Sequence, residues 1–304
     1  MQQAKIIGAS FGIGLFFLAA LALRGGFEQF LFMQMTAPFQ GMVYAQLPAK
    51  PDLPALELDA KAALSLRVNY VGRERFVFSK SPNEKLPIAS ITKLMTALVV
   101  FENPADYNLD RKVTVSKAAA GQDDVPLFGN LKTGEIYTVK DLLGMMMYYS
   151  SNDAAYALAE VVGVDKFTNL MNSKAVSLGL ANTHFVNPNG LDGNGMDVNT
   201  SSAADLVALA RYIIKAQPGI FVFSLTPGPY ASENGIFNVA LGGGRVLAGG
   251  KTGFTDIAGG CMLLAFRDEK NNYYFNVLLG SLSSPDRVVQ MQKLVDYDNN
   301  VTRY

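Results

Sequence analysis

Residues 86–99 read Leu-Pro-Ile-Ala-Ser-Ile-Thr-Lys-Leu-Met-Thr-Ala-Leu-Val, an apolar segment with a serine and a lysine three positions apart. The apolar spacing predicts a helix over residues 90–101, with Ser90 at its start. Positions i and i+3 of a helix face the same way, so Lys93 can reach the hydroxyl of Ser90. Serine is a weak nucleophile and needs such a base before it can attack a carbonyl carbon.

The bland interpretation of this pair is a serine N-cap followed by a surface lysine. Two features favour a catalytic pair. No other Ser-x-x-Lys occurs in the chain, and apolar residues such as Ile88, Ile91 and Leu94 crowd a lysine that would otherwise be exposed. A serine at a helix start also lies beside free backbone N–H groups, which stabilise a developing oxyanion.

Two further polar motifs follow in the chain, and each occurs more than once. Ser-x-Asn and Lys-Thr-Gly are found at Ser81-Pro-Asn83, Ser150-Ser-Asn152, Ser232-Glu-Asn234, Lys132-Thr-Gly134 and Lys251-Thr-Gly253. Ser150 and Asn152 lie at a junction between two apolar helices, where polar side chains can point into a cleft. An N-cap for a helix beginning at Asp153 is the alternative for this junction, and both interpretations can hold together.

The two Lys-Thr-Gly copies differ in their surroundings. Lys132-Thr133-Gly134 precedes a predicted helix and is interpreted as a turn. Lys251-Thr252-Gly253 is predicted to open a strand, with paired glycines before and after it. Glycines in a strand permit a ligand to approach the backbone closely, so this copy is predicted to form the substrate edge.

The ordered set Ser-x-x-Lys, Ser-x-Asn and Lys-Thr-Gly is the signature of serine penicillin-binding enzymes and class A β-lactamases. The chain resembles one group of them, the serine D-Ala-D-Ala carboxypeptidases or low-molecular-mass penicillin-binding proteins. The segments that carry this resemblance are 86–99, 149–155, 183–191 and 250–255, and the resemblance extends over about residues 56–297.

The resemblance implies acyl transfer on a peptidoglycan stem peptide ending in D-Ala-D-Ala. Ser90 would attack the penultimate D-Ala carbonyl, with Lys93 as base. Partial burial and the nearby cation of Lys251 would keep the Lys93 amine neutral. Ser150 would relay a proton to the leaving amine, and Asn152 would hold the substrate amide and orient Lys93.

The resemblance also implies how the substrate is held. Lys251 and Thr252, in the motif completed by Gly253, would bind the terminal carboxylate. The backbone N–H groups of Ser90 and Phe254 would form the oxyanion hole. β-Lactams are expected as covalent inhibitors, and no metal or organic cofactor is required.

Composition excludes several other classes. Lys+Arg and Asp+Glu are balanced at 26 each, which lacks the basic footprint of a nucleic-acid binder. One histidine, His184, and one cysteine, Cys261, are too few for a zinc hydrolase, and no Gly-x-Ser-x-Gly elbow occurs. Cys261 is interpreted as a packing residue, and His184, within a family segment without catalytic duty, as structural.

The element pattern predicts an α+β fold with an antiparallel sheet, closed by N- and C-terminal strands and flanked by helices. A hairpin is predicted from strands 63–71 and 75–79, and later strands at 259–266 and 273–280. Helices are predicted at 90–101, 139–149, 153–162, 166–178, 203–216 and 285–297.

The N-terminal sequence predicts where the protein is located in the cell. Residues 6–23 form an 18-residue stretch without a charge, long enough to span a bilayer. We expect a membrane anchor at 1–24, a juxtamembrane linker at 25–55 and a catalytic domain at 56–304 outside the cytoplasm. A signal peptide cleaved after Ala20-Leu21-Ala22 is the alternative. Many family members have a second β-rich domain and a C-terminal anchor; this sequence has room for neither, which favours N-terminal tethering.

Three other functions remain in competition. A D,D-endopeptidase of the same family would use the same core motifs to cut cross-links. A β-lactamase is disfavoured, because class A enzymes need a glutamate-activated water and no counterpart is evident between Asn152 and Lys251. A scaffold that binds wall peptide without turning it over is weakened by the presence of every expected polar group.

Overall fold

The computed structural model describes residues 55–122, 129–193, 197–226 and 235–301. The predicted anchor at 1–24, nearly all of the predicted linker at 25–55 and the motif copy Ser232-Glu-Asn234 lie outside these ranges. Within them no single helix has the length and apolarity to cross a membrane. Only the pair Ala203–Ala216 and Gly219–Leu225, bent by 106°, reaches that criterion together.

Strands and helices alternate along the described chain. The strands are β1 (Ala62–Val68), β2 (Glu74–Lys80), β3 (Leu86–Pro87), β4 (Lys112–Thr114), β5 (Ile136–Thr138), β6 (Thr200–Ser201), β7 (Val246–Thr255), β8 (Gly259–Arg267) and β9 (Tyr273–Ser281). The α-helices are α1 (Lys93–Glu102), α2 (Val139–Tyr148), α3 (Asn152–Glu160), α4 (Val164–Ser177), α5 (Ala203–Ala216), α6 (Gly219–Leu225) and α7 (Ser284–Val301).

A five-stranded antiparallel sheet of order β2-β1-β9-β8-β7 organises the fold. β1 pairs with β9, so strands from the two ends of the described chain meet at the sheet centre, which confirms the predicted α+β architecture. β7 pairs only with β8 among the described strands, so it is an edge strand of the sheet.

The core lies on the faces of this sheet. α7 covers it with Met291, Leu294 and Val295, which pack against apolar residues of β8 and β9. α1 differs from an ordinary surface helix, because every residue from Lys93 to Val100 is buried. A helix buried all round belongs to a protein interior, and here it carries the predicted base into that interior.

Most predicted elements are present with small shifts in their ends, and α5 has the predicted bounds. Two predictions are wrong. The helix predicted to start at Ser90 begins with a 3-10 turn, Ala89–Thr92, and becomes α-helical at Lys93. The strand predicted to open at Lys251 begins at Val246, because its glycine-rich first half pairs with β8 although it lacks a strand-forming sequence pattern.

Candidate active site

Ser90 lies in the 3-10 turn that precedes α1, at the centre of tight backbone packing. Ala89 has a φ of +46°, a left-handed conformation that is strained for alanine. A Cβ at Gly190 would lie 2.1 Å from the Ala89 carbonyl oxygen, and a Cβ at Gly253 would lie 3.0 Å from the Ser90 nitrogen. Glycine at these two positions therefore lets a loop and strand β7 close on the turn that carries Ser90.

Lys93 is fully buried, with 0% of its side chain exposed. Its Nζ atom lies 2.7 Å from Ser90 Oγ, 2.8 Å from Asn152 Oδ1 and 2.6 Å from the backbone oxygen of Asn189. Burial lowers the pKa of Lys93 well below its ordinary value, and the charge of Lys251 lowers it further. Both causes favour the neutral amine, and the burial is more complete than the predicted partial burial.

Ser150 and its neighbour Ser151 have different roles at the junction between α2 and α3. Ser151, not Ser150, caps α3, because its Oγ accepts a hydrogen bond from the Ala154 N–H. Ser150 has a left-handed φ of +64° and accepts a hydrogen bond from Lys251 Nζ at 2.8 Å. α3 starts at Asn152, one residue before the predicted start, and aims the Asn152 amide oxygen at Lys93.

Lys251 enters the same interior from β7, with 1% of its side chain exposed. Its Nζ also donates a hydrogen bond to the Thr252 carbonyl oxygen at 3.0 Å. Burial lowers the pKa of Lys251 to about 7, and the charge of Arg287 contributes to that shift. Lys251 therefore changes its charge near neutral pH, which a surface lysine does not do.

The rest of the Lys-Thr-Gly strand faces the turn of Ser90. Thr252 is 8% exposed, and Gly253 lies against the Ser90 nitrogen as described above. Phe254 follows with 44% of its side chain exposed. The structure thus brings together Ser90, Lys93, Ser150, Asn152, Lys251, Thr252 and Gly253, with the Phe254 backbone adjoining them.

Comparison with known proteins assigns the chain to a protein family. Residues 49–281 match the peptidase S11 family, described as D-alanyl-D-alanine carboxypeptidase. The chain belongs to the S11 family. It is 33% identical over 234 residues to D-alanyl-D-alanine carboxypeptidase DacF of Bacillus subtilis, covering 73% of this chain and 58% of DacF.

Two other similar proteins extend the comparison. A D-alanyl-D-alanine endopeptidase of Pseudomonas aeruginosa is 30% identical over 238 residues, which cover 73% of this chain and 72% of that protein. Penicillin-binding protein D2 of Listeria monocytogenes, solved in its cefotaxime-bound form, superposes with a TM-score of 0.69 at 28% identity. That match covers 81% of this chain and 99% of the Listeria chain.

Sequence reasoning missed the contacts that one loop and helix α7 make with this S11 site. The Asn189 backbone oxygen contacts Lys93, and Thr255 Oγ1 on β7 donates a hydrogen bond to Asp192 of the same loop at 2.9 Å. Arg287 of α7 contacts the carbonyl oxygen of Gly253 at 2.7 Å. The turn-forming Asn187-Pro-Asn-Gly190 was a signal for the loop, whereas nothing in the local sequence of α7 pointed to β7.

The remaining candidates lie away from the chemistry. Lys132-Thr133-Gly134 is a turn, as predicted, although it leads into β5 before α2 begins; Gly134 has a φ of +88°. His184 is exposed and its backbone bridges Thr200. Cys261 is buried in β8, and burial raises the pKa of its thiol to about 11, which agrees with an unreactive packing residue.

Proposed function

We propose that this chain is a serine D-Ala-D-Ala carboxypeptidase that removes the terminal D-Ala of a peptidoglycan stem peptide. The observation that carries the proposal is the 2.7 Å contact between Ser90 Oγ and the fully buried Nζ of Lys93. S11 membership supports the same reaction, and the chain spans only 58% of DacF.

The hydrogen-bond partners of Lys93 favour the neutral amine, which can act as a base, over the charged ammonium. A neutral amine has two N–H donors and one lone pair, and Lys93 has three partners. Asn152 Oδ1 and the Asn189 backbone oxygen can only accept, so they take the two N–H groups. The hydroxyl of Ser90, 2.7 Å from Nζ, can donate or accept, so beside a neutral amine it is left to donate to the lone pair. Lys93 then receives the proton as Ser90 Oγ bonds to the carbonyl carbon.

The second half of the reaction uses Ser150 and Lys251. The leaving amine of D-Ala needs a proton when the peptide bond breaks, and Ser150 Oγ lies 2.8 Å from Lys251 Nζ. We assign Ser150 as the relay to that amine: the proton delivered is the one that Lys93 took from Ser90, and Lys251 Nζ holds the Ser150 hydroxyl in place. Once D-Ala has left, neutral Lys93 activates the water that hydrolyses the acyl-enzyme and restores Ser90.

Substrate binding is assigned to β7. Protonated Lys251 and the hydroxyl of Thr252 would bind the terminal carboxylate, and the N–H groups of Ser90 and Phe254 would hold the oxyanion. Asn152 would bind the substrate amide while it orients Lys93. β-Lactams would acylate the same serine, in line with the cefotaxime-bound form of the Listeria protein.

A D,D-endopeptidase is the second candidate, and the extent of the matches favours it. The chain covers 72% of the Pseudomonas endopeptidase but only 58% of DacF. A cross-linked muropeptide dimer and a linear pentapeptide, supplied at equal concentration, separate the two activities. Preferential cleavage of the dimer would replace the carboxypeptidase assignment with the endopeptidase one.

We infer that the catalytic part acts outside the cytoplasm, tethered to the cell membrane by residues 6–23. The uncharged 18-residue stretch supports this inference. Mass spectrometry of the native membrane fraction tests it: an intact N-terminus supports the anchor, and a chain starting just after Ala22 supports a cleaved signal peptide.

The decisive test of the reaction combines a fluorescent penicillin with a D-Ala release assay. Wild type should be labelled and should release D-Ala, and Ser90→Ala should do neither. Ser81→Ala, in the exposed motif copy, is the matched control and should behave as wild type. Equal labelling of wild type and Ser90→Ala contradicts the nucleophile. Labelling of wild type without D-Ala release favours a scaffold, and rapid penicillin turnover favours a β-lactamase.

A further inference from the structure

Arg287 is a buried cation to which the described part of the chain supplies no anionic partner. It lies on α7 with 8% of its surface exposed, and it forms no ion pair with any carboxylate of the described residues. Its Nη1 atom donates a 2.7 Å hydrogen bond to the backbone oxygen of Gly253. Burying a guanidinium without a carboxylate costs free energy, so its single strong contact with the catalytic edge strand needs a reason.

The reason lies in the peptide group that Arg287 contacts. The Gly253 carbonyl and the Phe254 N–H belong to one planar trans peptide and point in opposite directions. Successive carbonyls of an extended strand also point to opposite sides. The Thr252 oxygen accepts from Lys251 Nζ, on the side of the lysines, and the Gly253 oxygen turns to Arg287. The Phe254 N–H therefore faces the side of the lysines.

We propose that Arg287 is a positioning residue for the oxyanion hole, acting through the Gly253–Phe254 peptide. Its hydrogen bond restrains the peptide plane and polarises the amide, which makes the Phe254 N–H a stronger donor to the oxygen that becomes negative when Ser90 Oγ adds to the carbonyl. This inference rests on the proposed acyl transfer at Ser90. No proton moves at Arg287, so the only change there is electrostatic.

Three physical points support this assignment. Linked hydrogen bonds polarise one another, most strongly where water is excluded. A charged donor makes a stronger hydrogen bond than a neutral one. Burial lowers the pKa of Arg287, yet a guanidinium stays protonated in proteins, so its field is constant while Lys251 titrates. Gly253 also lies against the Ser90 nitrogen, so the restrained peptide adjoins the other predicted oxyanion donor.

The test compares Arg287→Met with Arg287→Lys in the full chain, using a penicillin as acylating agent. Loss of an entire oxyanion donor slows reactions by about 100- to 1000-fold. Because the Phe254 N–H remains in Arg287→Met, we expect a smaller loss, about 10-fold, in the acylation rate constant and little change in the preceding binding constant. Arg287→Lys keeps the charge and should recover part of the rate.

The infrared carbonyl frequency of the acyl-enzyme gives a readout that a merely structural role would not move. Hydrogen bonds from the oxyanion hole lower this frequency, so it should rise in Arg287→Met and return towards wild type in Arg287→Lys. Arg245→Met is the matched control, because its guanidinium lies over the Tyr274 ring of β9, 4.2 Å from the ring centroid. The control should keep the wild-type frequency even if its melting temperature falls.

The outcomes separate two failures. If wild type is not acylated at Ser90, the proposed function itself fails. If wild type is acylated and Arg287→Met reacts at the same rate with an unchanged frequency, only the role of Arg287 is overturned. A loss confined to the binding constant overturns it as well. If Arg287→Met does not fold, the neutral variant Arg287→Gln takes its place: a raised frequency supports the charge-based role, and a wild-type frequency overturns it.

Discussion

Burial acts on two clusters of polar groups in this protein and shifts their pKa values in opposite directions. The lysine cluster consists of Lys93, Lys251 and Arg287, and the Asp298 cluster consists of Asp298, Ser65 and Asn276. Burial lowers the pKa of both lysines. In the Asp298 cluster it raises the pKa of the carboxyl to about 7. The same loss of hydration therefore favours a neutral base in one cluster and a neutral acid in the other.

The partners of the two clusters explain why only one of them can react. Asp298 receives hydrogen bonds of 2.7 Å from Ser65 Oγ and from Asn276 Nδ2, in the interior between α7 and the sheet. The lysines contact Ser90 and Ser150, which are half-buried and can meet a substrate. A neutral buried group becomes catalytic when its partner is an accessible hydroxyl, and stays structural when its partners are buried.

Removing the base should have the largest effect. Lys93→Met retains a long apolar side chain but leaves Ser90 without its proton acceptor, and a positioned base contributes about 100- to 10,000-fold. We expect penicillin acylation to slow by about 1000-fold, measured by stopped-flow fluorescence. A loss of less than tenfold in a folded variant would contradict the assignment of Lys93.

The two Lys-Thr-Gly copies test whether a lysine of this motif contributes to acylation because it is buried or because of the motif alone. Lys251→Ala removes a buried cation, and we expect acylation to fall by about 100-fold, comparable to the loss of a major electrostatic contact. Lys132→Ala alters an exposed turn and should stay within about twofold of wild type. Comparable losses of acylation rate in both variants would show that burial does not separate the function of Lys251 from that of Lys132.

The pH profile should locate the charge of Lys251. This lysine must be protonated to bind a carboxylate, and its pKa is about 7, so the second-order acylation constant should fall as pH rises through 7. At pH 8 the charged fraction of Lys251 is about tenfold lower than at pH 6. Lys251→Arg keeps its charge and should flatten this alkaline fall. An alkaline fall that persists unchanged in Lys251→Arg would assign the titration to another group.

The Asp298 cluster should affect stability and not acylation. In the unfolded chain Asp298 ionises with its ordinary pKa of 3.8, whereas in the folded protein its pKa is raised to about 7. Stability is therefore lost as pH rises from about 4 to 7, by an amount on the order of a few kcal/mol, and stays constant above that range. Asp298→Asn removes this loss, and because each kcal/mol corresponds to about 2–4 °C in a domain of this size, we expect a melting temperature roughly 10 °C higher at pH 8.

The local hydrogen bonds permit that substitution. The Asn276 Oδ1 atom has no hydrogen-bond partner among the described residues, so a flipped Asn276 amide can accept from the new side chain at 298. Asp296→Asn, an exposed change on the same helix, is the control and should leave the melting temperature almost unchanged. A wild-type melting temperature that does not vary between pH 4 and 7 would refute the neutral buried acid.

Several local features could be predicted because their causes are local. α5 has its predicted bounds, since Ser202 accepts a hydrogen bond from the Asp205 N–H at its start and the helix has one continuous apolar face. At the α2–α3 junction the sequence predicted a cap without naming the residue, because adjacent serines have the same hydroxyl and only the backbone geometry decides that Ser151 caps. The short helix α6 also escaped prediction, as its seven residues give little periodicity.

By itself the sequence determined that strands from the N- and C-terminal parts of the domain close the sheet. It also determined the candidate nucleophile and the candidate base. Periodicity and the order of the three motifs are properties of the chain, so these features could be predicted without a structure. Tertiary structure alone decided the environment of Lys93. Its partners Asn152 and Asn189 lie 59 and 96 positions away, and Lys251 meets Ser150 across 101 positions. Hydration, and with it the pKa of an amine, depends on what packs around it in space, which no local pattern encodes.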